Sequence, residues 1–234
     1  MVSALLWERA CRIIPSRFPW VGIFDQVSSP ADLPVILELE AATNPRVLDE
    51  AGILSMVRTR DRIAGEGTTP IMAAFTHTRP SRFSDGTYGV YYAGNDEATA
   101  IAETAYHRSL FLRYANLRSE IVQMRVYTAR IEGSFEDLRR RSKRSPLYDP
   151  DSYAASQIYA RKLFERDVRD GIVYASVRRS GGECVAAFRP RCISFCTVTR
   201  HLEYYFEDFR LTKVLVVKSL ISHVEQELQG RAHQ

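Results

Sequence analysis

The chain has 234 residues, enough for one well-buried domain or one domain with a sizeable extension. Its 32 basic and 28 acidic residues leave a net charge of +4, too mild for direct nucleic-acid binding, which needs a basic stripe on one face. No stretch approaches the roughly 18 apolar residues that cross a bilayer. Trp7, Glu8 and Arg9 also break the start where a secretory leader would be apolar, so no membrane partner and a cytoplasmic location are expected.

Residues 1–67 read as mostly helical with proline breaks. Ser29-Pro30-Ala31-Asp32 is a helix start, followed by an apolar stripe of Leu33, Ile36, Leu37 and Leu39. Asn44-Pro45 restarts the chain, and Val47, Leu48, Ile53, Leu54 and Val57 give a second helical pattern. Gly65-Glu66-Gly67 ends this region and sets the expected boundary between a helical extension, 1–67, and a domain over 68–234.

Short strands around a strong helix follow. The compact apolar run Ile71–Phe75 predicts a strand, Ser84-Asp85-Gly86-Thr87 a turn, and Gly89–Ala93 a second strand. Asn95 or Asp96 caps a helix whose buried face takes Ala98, Ile101, Ala102, Ala105 and Leu112. Gln123–Ile131 alternates as a strand, and Tyr153–Val168 has helical spacing. Ile172–Ala175, Cys184–Phe188, Ile193–Val198 and Val214–Val217 are further strands. Strands interrupted by only some helices, with several hairpins, indicate an α+β fold with a mixed sheet.

The familiar loops for dinucleotides, nucleoside triphosphates, zinc proteases and serine hydrolases are all missing. Cys192, Cys196 and His201 do not make a metal site, because residues four apart on a strand lie about 13 Å apart. No metal is expected, and the four cysteines read as reduced thiols. Arg82, just before the Ser84–Gly86 turn, offers a planar fork suited to a diphosphate. On the strand after it, Val90 and Tyr92 share one face and Tyr91 takes the other. A tyrosine at that strand's end can stack on a flat ring. Glu103 sits among Ala100, Ile101 and Ala102; it is either an exposed helical carboxylate or one lining a pocket, where it would stabilise a cationic sugar. Ser176 closes a strand, either simply ending it or placing a hydroxyl on a ligand. His77 and His107 read as structural histidines.

These residues resemble the RES domain of toxins from RES–Xre toxin–antitoxin pairs. The first family run is matched by Arg82-Phe83, Gly86, Val90-Tyr91-Tyr92-Ala93 and Ala100 to Glu103. The second is matched by Gly171 to Arg178, then Gly182, Cys184, Ala186-Ala187 and Phe188. Phe83 stands where the family often has Trp, and the Tyr91-Tyr92 doublet leaves two candidates for the functional tyrosine, with spacing from Arg82 favouring Tyr92. The resemblance implies a fold similar to ADP-ribosyltransferase toxins, with NAD+ as the substrate whose nicotinamide–ribose bond is cleaved. It implies that Arg82 holds diphosphate or ribose, Tyr92 or Tyr91 packs on nicotinamide, Glu103 stabilises the ribose cation and Ser176 positions the cofactor. It further implies an Xre-like antitoxin partner and transfer of ADP-ribose to a protein target, phosphate or water. The competing reading is a catalytically silent module that uses the basic run Leu138–Arg144 to hold a protein or nucleic acid.

Overall fold

In the computed structural model, which describes residues 2–16, 22–44 and 46–217, the chain opens with a strand rather than a helix. Strand β1 (Val2–Pro15) pairs antiparallel with β5 (Glu120–Asp137), from Val2 opposite Glu136 to Pro15 opposite Met124. The sequence hides this because the register shifts between Trp7 and Ala10, opposite Ile131 and Ala129. One extra residue in a strand reverses the phase of apolar alternation, so no single period-2 pattern runs through the segment. The helical expectation holds further on, at α1 (Leu33–Thr43) and α2 (Arg46–Ala51). Pro45, where the sequence reading restarts the chain, lies outside the described residues.

A second correction concerns the run Ile71–Phe75, which lies in helix α3 (Thr69–Thr76). Five apolar residues fit a strand or a buried helix equally well. The neighbours decide it: Pro70 occupies the first turn, and Thr69 donates from N and Oγ1 to Asp25 Oδ1, at 2.8 and 2.9 Å. After α3 come β2 (Pro80–Ser81), β3 (Ser84–Asp85), β4 (Tyr91–Gly94), α4 (Glu97–Tyr114), β5, α5 (Ala154–Arg166), β6 (Gly171–Ala175), β7 (Glu183–Ala187), β8 (Ile193–Glu207) and β9 (Arg210–Val217).

The large sheet runs β1-β4-β7-β6-β5-β8-β9, and β1 also pairs with β5. Strands β1, β4, β7, β6 and β5 therefore close a ring, while β8, with β9 beyond it, pairs along the same edge of β5 as β6, opposite β1. Among the described residues only β5 and β6 pair parallel, so the fold is the expected α+β type with a mixed sheet. Strand β1 also ties the amino-terminal segment into the same sheet as the strands after residue 68.

Alternation along the central strands sorts side chains into two layers. Tyr91, Ala93, Val173, Val185 and Ala187 join the core with Ile23, Phe24, Leu33, Val47 and Phe75. On the other face, Val90, Ile172, Tyr174, Cys184 and Ala186 pack with Phe83, Tyr148, Ala160 and Phe188, with Tyr92 against them. A third cluster seats Ala100 and Leu112 of α4 on Cys11, Ile13, Met124 and Tyr204. The gap between the second and third clusters is where the chemically interesting residues gather.

Candidate active site

Helix α4 begins at an N-cap aspartate. Asp96 Oδ1 accepts from Thr99 N at 2.7 Å, and Arg179 Nη1 reaches Asp96 Oδ2 at 3.0 Å. Desolvation alone would raise the Asp96 pKa, but the Thr99 bonds and Arg179 outweigh it and hold the carboxyl below its ordinary range. The backbone at Gly94 runs so close to the helix start that a Cβ there would lie 2.9 Å from Ala100 N. Strand and helix thus fix each other, and α4 turns Ala100, Glu103, Thr104 and His107 towards one pocket.

That pocket, about 160 Å³ in volume, is also lined by Cys11, Arg12, Ser81, Arg82, Tyr92, Tyr153, Tyr174 and Cys184. Glu103 is held from behind. Ser176 Oγ donates to Glu103 Oε1 at 2.6 Å, and Cys184 Sγ lies 3.7 Å from the same oxygen. Ser176 Oγ itself accepts from Arg178 N at 3.1 Å and Arg179 N at 2.9 Å. Ser176, 5% exposed, is not among the residues lining the pocket; its contact is with the carboxylate.

Arg82 stands at the turn of the β2–β3 hairpin, where Ser81 pairs with Ser84. It is 7% exposed, donates from Nη1 to the carbonyls of Leu147 and Asp149 at 3.2 and 2.9 Å, and lies 4.6 Å from the Tyr153 ring centroid. Those bonds fix the guanidinium against the pocket wall. Tyr92 lines the same wall, its hydroxyl accepting from Phe83 N at 2.9 Å and sharing a 2.9 Å bond with Ser81 Oγ. Burial raises its pKa, the Ser81 and Phe83 bonds pull it back, and it ends at about 12, a neutral phenol. Tyr91, the other expected binding tyrosine, is fully buried on the opposite face of β4, with its hydroxyl 4.0 Å from Cys196 Sγ. Of the doublet, only Tyr92 reaches the pocket.

The sequence reading missed Arg12. Its Nη1 donates to Tyr92 O at 3.1 Å and its guanidinium lies 4.7 Å from the Tyr91 ring centroid. A lone arginine on a strand read as helix carries no local signal; only the pairing of β1 beside β4 brings it here. Tyr153, Tyr174 and His107 likewise meet the site through tertiary packing. The basic run after β5 is partly engaged within the fold: Arg139 bonds Asp137 at 2.7 Å and Glu183 at 2.9 Å, and Arg141 lies over the Tyr159 ring. Among the described residues no cluster suits a metal ion, the four cysteines are free, and no helix is long and apolar enough to cross a membrane.

A carboxylate, two arginines and three tyrosine rings around one pocket suit a ligand that is anionic, flat-ringed and reactive at a cationic centre. The model of the RES domain matches residues 59–207 of this chain. The chain belongs to the RES domain family. The RES match spans the β2–β3 turn, α4, β6 and β7, and thus Arg82, Tyr92, Glu103 and Ser176; β1 and its Arg12 precede it. A protein of Sinorhizobium fredii (strain NBRC 101917 / NGR234), "Uncharacterized protein y4oC", is 25% identical over 223 residues, covering 94% of this chain and 93% of its own length. The similarity to it therefore includes the amino-terminal segment that precedes the RES match.

Proposed function

We propose that this RES domain protein binds NAD+ in the α4 pocket, cleaves its nicotinamide–ribose bond and passes ADP-ribose to an acceptor. The observation that carries the reading is the Ser176–Glu103 pair at the wall of a pocket shared with Arg12, Arg82 and Tyr92. Nicotinamide leaves with the electron pair of the C1′–N bond, and the ribose becomes an oxocarbenium-like cation. A fixed carboxylate stabilises that cation more in the transition state than in the ground state. Tyr92, a neutral ring on the pocket wall, packs on nicotinamide, and the arginines attract the diphosphate. The cavity is smaller than the roughly 300–1,000 Å³ of a typical whole-ligand site. The nicotinamide riboside end would enter, and the rest of the dinucleotide would lie along the rim. In the cell this activity would be that of a toxin, held in check by an Xre-like antitoxin covering the pocket.

The purified chain is expected to release nicotinamide from NAD+, and Glu103→Gln to lower that rate at least a hundredfold with an unchanged circular dichroism spectrum. Chromatography of the nucleotide products measures both. A Glu103→Gln chain as active as the parent would overturn the assignment, and a parent chain that leaves NAD+ intact would overturn the reading itself.

A further inference from the structure

Cleavage of the glycosidic bond leaves a second requirement. When the acceptor is a neutral hydroxyl, of water or of a protein side chain, its proton must depart as the new C1′–O bond forms. Glu103 is poorly suited to take it, because it must stay anionic beside the ribose cation and one oxygen already faces Ser176 and Cys184. Four other pocket-lining groups with removable protons hold them more tightly than usual. Burial pushes the thiols of Cys11 and Cys184 and the phenols of Tyr92 and Tyr174 above their ordinary pKa values.

His107 differs from them. It lies one helical turn beyond Glu103 on α4, lines the same pocket, and keeps part of its surface in contact with solvent. Around it stand Glu103 and Arg108 of its own helix, Arg82 of the β2–β3 turn and Arg178 of the loop after β6. The edge of the Tyr106 ring flanks it, with centroids 5.4 Å apart. Loss of hydration lowers its pKa from the ordinary 6.5, Glu103 raises it, and the three arginines lower it, leaving a net decrease. At neutral pH the imidazole is an uncharged base.

We infer that His107 is a catalytic residue of the glycosyl transfer, the base that receives the acceptor's proton. This inference rests on the NAD+ reading above. In the step, the acceptor oxygen bonds to C1′ as the C1′–N bond breaks. The bonding pair leaves with nicotinamide, whose ring loses its positive charge, and the acceptor's O–H proton moves to the imidazole and then to solvent. An acceptor that is already an anion has no proton to give and does not need His107.

The test compares the full-length parent chain with His107→Gln, folding being verified by circular dichroism and thermal melting. NAD+ loss is followed from acid to alkaline pH, with water as acceptor and then with added azide, an anionic nucleophile. With water, the variant should be slower by roughly 10²–10⁴-fold, the usual size of general-base catalysis. The parent's rate should fall on the acid side as His107 gains a proton, at a pH below 6.5, and that limb should vanish in the variant. Azide should restore the variant to within a fewfold of the parent and give ADP-ribosyl azide. A variant within threefold of the parent in water overturns the inference while leaving NAD+ cleavage intact. A slow variant that azide does not rescue, or that keeps the acid limb, overturns it equally, since a merely structural role would do that. A parent chain inert towards NAD+ instead removes the reading on which the inference stands.

Discussion

Ser176 concentrates three hydrogen bonds on one oxygen: it donates to Glu103 and accepts from the amides of Arg178 and Arg179. Replacing it with alanine would strip those amides of an acceptor and release the carboxylate from its fixed direction. An unpaired buried donor costs about 1–3 kcal/mol, so Ser176→Ala should lose stability on that scale in a urea titration. The kinetic effect should be more selective. Because Ser176 contacts the carboxylate and does not line the pocket, kcat should fall at least tenfold while the KM for NAD+ changes less than threefold. A change confined to KM would show that the serine holds ligand instead. At this scale, Arg82, Tyr92, Glu103 and Ser176 were singled out by the resemblance to the RES domain, each having a plain structural alternative when taken alone. Arg12 and Tyr153 were not, since what distinguishes them is a neighbour from a distant part of the chain.

Among the elements, α4 brings Ala100, Glu103, Thr104 and His107 to the pocket, and its position depends on Gly94. A methyl group there would meet Ala100 N at 2.9 Å and Asp96 O at 3.0 Å, both of them main-chain atoms that cannot swing aside. Gly94→Ala must therefore push the first turn of α4 away from β4. Overpacking of this kind costs about 1–3 kcal/mol, and the shift displaces Glu103 from Ser176 two turns along. Thermal melting should show a lower transition, and NAD+ consumption should fall by more than the folded fraction does. Activity that simply tracks the folded fraction would mean that the helix absorbs the methyl without moving Glu103. The sequence revealed α4 and α5 through cap and period, and β4, β6 and β7 through short apolar runs between turns. It concealed β1 because a bulge reverses its alternation, and α3 because five apolar residues carry no period of their own.

At the scale of the molecule, the RES match begins at Thr59, yet the ring of five strands cannot close without β1. Removing residues 1–58 would leave one edge of β5 unpaired from Met124 to Glu136. It would also take Leu5, Ile23, Phe24, Val27, Leu33, Leu37, Val47 and Val57 out of the largest core cluster. Each such side chain contributes about 1.5–3 kcal/mol on burial, and the apolar partners they leave behind, Ile71, Met72 and Phe75 among them, would face water. The ion pair of Arg58 with Asp167 would go too, a small loss beside the core. A chain starting at Thr59 should therefore not fold alone: it should aggregate and show no cooperative melt. Residues 1–58, supplied as a separate polypeptide in the same cell, should restore a soluble complex, because the missing strand and helices dock on surfaces the remainder already presents. A Thr59 fragment that is monomeric and melts cooperatively would show that the RES segment carries its own core. Its NAD+ consumption would then report on the pocket wall such a fragment lacks, Cys11, Arg12 and Ile13.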